Sequence, residues 1–235
     1  MFPVGIIIML TDYGRQFLWT TSIFLALQSV ILILALRHLA NLRSVLISAC
    51  LIFDLSFVIE LIGVRYSFPF GAYSYTYTLY PLIKGAPPTI AFAWFAVTAS
   101  SFLIAKLFLG NANAFVISFV SAVLILATDI LLEPFASFAN GFWLWEGGKV
   151  PIQNFASWFG IGFVFSLIME KFIKWDEEKI KNKKLFIIPV IVFSMNVLNF
   201  SVINMVSGYF LFTFIGLALV GAEMLLIINI GNNEA

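Results

Sequence analysis

Five acidic residues of this chain stand inside long apolar runs: Asp54, Glu60, Asp129, Glu133 and Glu223. An ionisable side chain at membrane depth costs at least a few kcal/mol, so such residues mark either function or a specific pair. Asp129 and Glu133 are four residues apart, which places both on one face of a helix. Low dielectric disfavours a charged carboxylate and keeps a proton available for general-acid work. Two stretches rich in aromatic residues follow the acids, one carrying Phe70, Tyr73 and Tyr75 and the other Trp143 and Trp145. Aromatic faces stabilise a developing cation. Acids beside aromatic walls are the equipment for protonating an alkene and managing the carbocation. Each acid also has a plainer reading that residue type alone leaves open. Glu60 could reach water or pair with Arg65, and Glu133 could be interfacial. Asp129 could be structural, Asp54 a neutral hydrogen-bonded core acid, and Glu223 a partner in an interhelical pair.

Other chemistries lack their parts. The one histidine, His38, lies in the basic stretch Arg37 to Arg43, away from the acids. The one cysteine, Cys50, sits in an apolar run and reads as a small buried hydrophobe. No His or Cys cluster can form a metal site, and no phosphate loop or dinucleotide fingerprint occurs. A net charge of +1 offers no field for nucleic acid.

The elements that position the acids must be membrane helices. With 62% hydrophobic and 11% charged residues in 235, the chain has too little polar surface to cover a soluble domain of its size. The expected fold is all-α, one integral membrane domain over 1–235, a polytopic bundle of about seven transmembrane helices. A span needs roughly 20 apolar residues, and the runs fall at 17–36, 44–63, 87–109, 112–132, 152–172, 185–205 and 208–229. Met1 to Leu10 is apolar but lacks the basic flank of a cleaved signal, so the start is expected to be kept. Alternate loops carry nine Lys and Arg on one side and four on the other, which by the positive-inside rule puts the N-terminus outside and the C-terminus in the cytoplasm of a cell-membrane protein.

That orientation brings Glu60, Asp129 and Glu133 to the outer ends of the second and fourth spans, with Asp54 about 9 Å deeper than Glu60. The sixth span adds Ser194, Asn196, Asn199 and Asn204 towards the same end. Three non-adjacent spans thus send polar groups to one level. The two long outer loops, 64–86 and 133–151, read either as an aromatic belt at headgroup level or as re-entrant segments over the bundle. The second and fourth spans echo each other loosely, each an acidic span followed by an aromatic loop and a proline.

Several spaced motifs carry a resemblance. Glu60-Leu61-Ile62-Gly63, Phe68-Pro69-Phe70-Gly71-Ala72-Tyr73-Ser74-Tyr75, Gly85-Ala86-Pro87-Pro88 and Trp94 form one group. Asp129-Ile130-Leu131-Leu132-Glu133-Pro134, Gly141-Phe142-Trp143-Leu144-Trp145-Glu146-Gly147-Gly148 and Val150 to Trp158 form the other. Over roughly residues 54–160 the chain resembles the membrane carotenoid biosynthesis protein family, which includes carotenoid hydratases of the bisanhydrobacterioruberin type. It departs from the family pattern where Asp-Pro is usual and Glu133-Pro134 stands here, and in a shortened glycine-rich stretch after Trp145. The related small lycopene cyclases carry paired glutamates where this chain has Gln153-Asn154, which favours hydration over cyclisation.

The resemblance implies a lipophilic polyene or isoprenoid substrate entering from the bilayer, other carotenoid-pathway enzymes as partners, and no cofactor, since hydration involves no redox change. It implies Asp129 as the acid with Glu133 its partner, and Glu60 holding water with Asn154 or Asn196; Asp54 stays a further candidate acid from its place in the second span. Phe70, Tyr73, Tyr75, Trp94, Trp143, Trp145 and Asn199 complete the expected substrate site. The competing expectations are a cofactor-free cyclase or isomerase and, from another class, a small-solute transporter.

Overall fold

Lipid offers the backbone no hydrogen bonds, so a run of about 20 apolar residues closes its own as a helix. The computed structural model describes residues 2–232. Among them, seven helices are long and apolar enough to cross a bilayer. These are α1 (Thr20–Leu39), α2 (Leu42–Tyr66), α3 (Thr89–Leu109), α4 (Ala114–Glu133), α5 (Ile152–Phe172), α6 (Ile187–Val206) and α7 (Phe210–Asn232). The protein is an all-α polytopic membrane bundle. Every helix end lies within three residues of its expected position, and at two starts a side-chain cap that hydropathy does not register sets the boundary. Asn41 accepts from the Ser44 N–H at the start of α2, and Asn113 accepts from Val116 N–H at the start of α4.

The third span sits at the centre. Sixty-seven per cent of its apolar window is buried, twice the share of α1, α2 or α5. It contacts α1, α2, α4, α5 and α6, as expected of a helix that is apolar all round. Its buried Thr98, Ser100 and Ser101 are small enough to let those neighbours approach. A short N-terminal helix, Phe2–Leu10, lies against α6.

Two features depart from simple helices joined by loops. Pro134 has no N–H to continue the ladder of α4, and the chain widens into a π-turn over Pro134–Ala139. The Asn140 N–H closes that turn on Phe135 O at 3.2 Å. Beyond it, β2 (Trp143–Trp145) pairs antiparallel with β1 (Tyr73–Tyr75), in the register Tyr73 with Trp145 and Tyr75 with Trp143. The two aromatic loops are therefore not independent belts at the membrane surface. They join as a two-stranded roof, turning four aromatic rings inwards and leaving Ser74 and Leu144 exposed.

Candidate active site

The roof exists to cover acids. Glu60 lies near the end of α2 and is 3% exposed, while Asp129 and Glu133 near the end of α4 are 0% and 2% exposed. Glu60 takes three hydrogen bonds from neutral donors. Tyr73 Oη and Tyr75 Oη donate to its Oε2 at 2.6 and 2.8 Å, and Trp94 Nε1 donates to its Oε1 at 3.0 Å. Burial, and then the Glu60 charge, hold both phenols above their ordinary pKa, so they stay protonated donors.

Glu133 is held in a matching way from the other strand. Trp145 Nε1 donates to its Oε2 at 2.8 Å and Trp143 Nε1 to the same oxygen at 3.3 Å. Asn154, in the first turn of α5, bridges the acids of α4. Its Nδ2 donates to Asp129 Oδ2 at 3.0 Å and to Glu133 Oε1 at 3.2 Å. Asp129 Oδ1 is buried and, among the described residues, has no hydrogen-bond partner.

The two halves share one plan. In each, a helix carries a buried glutamate at or near its end, and the strand that follows grips it with two aromatics spaced two residues apart. The first side chain of the next helix to reach it then closes the other oxygen: Trp94 in α3, Asn154 in α5. The loose echo between the second and fourth spans is thus a repeat in geometry. Both copies run in the same direction through the bilayer, as in parallel-repeat membrane folds. The halves differ one turn below the glutamate. The first has Ser56, whose hydroxyl returns to Phe53 O at 3.1 Å, and the second has Asp129.

Close contacts lock the roof onto the helices. A Cβ at Gly63 would lie 2.8 Å from Tyr73 Oη, so only glycine lets that tyrosine cross α2. Gly71 has φ +110°, and a Cβ there would meet Pro151 at 2.6 Å. Ser157 Oγ donates to Pro69 O at 2.7 Å, tying the first loop to α5. The enclosed space at the acids is only about 20 Å³, room for about one water molecule. Phe70, Tyr73, Tyr75, Trp143, Trp145 and Trp158 wall it.

Of the residues singled out from sequence, the structure brings together Glu60, Asp129, Glu133, Phe70, Tyr73, Tyr75, Trp94, Trp143, Trp145 and Asn154. It places Asp54 elsewhere, on the exposed flank of α2 in a shallow groove with Arg43 and Cys50. That cysteine is exposed on the same flank, not buried. Asn196 is joined to Gln28 of α1, whose Nε2 donates to Asn196 Oδ1 at 2.7 Å. Asn199 lines a separate cavity beside the N-terminal helix. Glu223 accepts from Ser194 Oγ at 2.6 Å, an interhelical pair between α6 and α7. Trp158 was given no role from sequence. It stacks on Trp94 at 4.0 Å between ring centroids, and its position four residues after Asn154 was the available signal.

This constellation defines a class: a polytopic membrane protein with buried acids walled by aromatics at one end of its bundle. A profile of the carotenoid biosynthesis protein family matches residues 20–223, and the chain belongs to that family. The chain is also similar to a bisanhydrobacterioruberin hydratase of Haloarcula japonica, 33% identical over 121 residues. That match covers 49% of this chain and 41% of the relative, so the chain spans well under two thirds of it. No solved structure matches.

Proposed function

We propose that the protein is a carotenoid hydratase that adds water across a terminal carbon–carbon double bond of an acyclic polyene. The observation that carries this is the Asn154 amide bridging Asp129 and Glu133 under a roof of aromatic rings, with Glu60, Glu133 and Asn154 lining one small cavity. The hydratase named among its relatives supports the reaction class.

Hydrogen-bond inventory assigns the roles. Glu60 accepts from three donors, which suits a carboxylate, since an ionised carboxyl only accepts. Asp129 accepts one hydrogen bond and keeps a second, unpartnered oxygen, which suits a protonated carboxyl with an O–H to give. Among the described residues no basic side chain lines the enclosure, so Glu60 and Glu133 there, with Asp129 joined to Glu133 through Asn154, would lack any cation if all three were ionised. Asp129 passes its proton to the less substituted carbon of the terminal double bond, and the π electrons form the new C–H bond. The tertiary cation faces the rings of Tyr73, Tyr75, Trp143 and Trp145. A water held at Glu60 attacks it, and the resulting oxonium, a very strong acid, yields its proton to Glu60. Return of that proton to Asp129 restores the site, with one water consumed.

The orientation belongs to the same proposal. The nine-to-four split of Lys and Arg places the roofed end outside and the C-terminus in the cytoplasm. Expression in a host making acyclic C40 or C50 carotenoids, followed by pigment mass spectrometry, tests the function. Gain of the mass of one water, lost in Asp129→Asn, is the expected result. A pigment converted with no change in mass would assign the site to cyclisation or isomerisation.

A further inference from the structure

Asn199 makes no hydrogen bond among the described residues, yet it is 9% exposed and its Oδ1 is buried without a partner. The α6 helix explains where it faces. Phe200 meets Phe135 at 4.8 Å and Asn204 Nδ2 donates to Leu131 O at 2.9 Å, so that side of α6 backs onto the carboxylate half of α4. Asn196, on the next strip of the helix, binds Gln28 of α1. Asn199 lies a little further round, in a cavity of about 430 Å³ walled mainly by Val4, Ile8, Met9, Ile23 and Phe24, with Thr20 and Thr21 also on its lining. That volume falls within the roughly 300–1,000 Å³ typical of small-molecule sites. The helices alternate in direction, so the start of α1 and the end of α6 put this cavity at the same end of the bundle as the acids.

A purely apolar occupant would satisfy the walls and leave the amide oxygen unpaired. A polyene with one hydroxyl satisfies both, because a hydroxyl donates to the oxygen of Asn199 and its chain covers the aliphatic walls. We infer that this groove is a second binding site, which holds the alcohol product beside the enclosure where it forms. The identity of the ligand rests on the hydratase reading; the preference for a hydroxyl rests on Asn199 alone. The two sites share no lining residue, so product held here has left the acids that could protonate and dehydrate it again.

The test is binding, not turnover. Lycopene and its 1-hydroxy-1,2-dihydro derivative are titrated into the full chain in nanodiscs, followed by quenching of tryptophan fluorescence. The wild-type protein and Asp129→Asn should both bind the alcohol about three- to ten-fold more tightly than lycopene. Asn199→Leu should bind the two equally. A Cβ at Gly5, another residue of the groove, meets nothing within 4 Å. Gly5→Trp should therefore fill the space and weaken both ligands, a check that does not depend on how well Asn199→Leu folds. Equal affinities in the wild type, or a preference that survives Asn199→Leu, would overturn the proposal. So would competition by dioleoylglycerol as strong as that of the polyene alcohol, which would make the groove a lipid site. Failure to find added water in the pigments would count against the hydratase reading and leave these binding results standing.

Discussion

Both ends of the bundle hold acids wholly or partly out of water, and they treat them in opposite ways. At the end away from the roof, Glu170 of α5 meets Lys106 of α3, with Lys106 Nζ at 2.9 and 3.1 Å from its two oxygens. The lysine is 6% exposed and the glutamate 16%. Trp175 lies under the same ammonium, 4.7 Å from its ring centroid, and Phe102 stacks on Trp175. Charge there is cancelled by charge, with no proton left to give. At the roofed end, Glu60, Asp129 and Glu133 are more deeply buried and meet only amide, indole and phenol donors. Neutral donors orient a carboxyl without fixing its charge. Burial alone therefore does not distinguish the two ends; among the described residues, the absence of a cation from the lining does.

The sharpest way to break the contrast is to remove the acid that has a free oxygen. Asp129→Asn keeps the shape and a partner for Asn154, and hydration should fall by about 10²–10⁴, the usual worth of general acid catalysis. Pigment analysis per folded molecule measures it. At the other end, Lys106→Met should leave product formation per folded molecule intact while destabilising the bundle. A buried charge that loses its partner costs about 3–5 kcal/mol, read from thermal unfolding in detergent. The paired replacement of Lys106 by Met and Glu170 by Leu should recover most of that loss.

Smaller effects sharpen the roofed half. Trp145→Phe removes the 2.8 Å donor to Glu133 and leaves Trp143 in place. Loss of a buried partner costs about 1–3 kcal/mol, and a tenfold drop in rate corresponds to roughly 1.4 kcal/mol. Tyr73 and Tyr75 set an alkaline limit. Their folded-state pKa values are raised by burial, so the stability they lend is intact below the ordinary phenol value of 10.0 and declines as pH climbs beyond it. Melting against pH should show that decline in the wild type and less of it in Tyr75→Phe. Leu144, 56% exposed on the outer face of the roof, should tolerate Ser within about 0.5 kcal/mol.

The spans were legible because run length and hydropathy are dictated by the bilayer, and residues 152–172 were placed without error at either end. The acids of the site were legible because charge in an apolar run is costly. Asp54 shows where depth alone misleads. It stands six residues before Glu60, about 240° round the helix, and so faces away, whereas Ser56, four residues before, shares the face. The roof was hidden because each strand is three residues long and its partner lies seventy residues away. Alternation over three residues is too short a pattern to read. Which donor grips which acid depends on that pairing, and so it became visible only in the fold.

On this assignment of roles, Asp129 carries a proton in the resting protein. Infrared difference spectra between the wild type and Asp129→Asn, in H2O and D2O, test it directly. The expected result is a protonated carboxyl C=O band that shifts on deuteration, disappears in Asp129→Asn and persists in the Lys106→Met protein. Spectra in which Asp129→Asn removes only ionised carboxylate bands would contradict it.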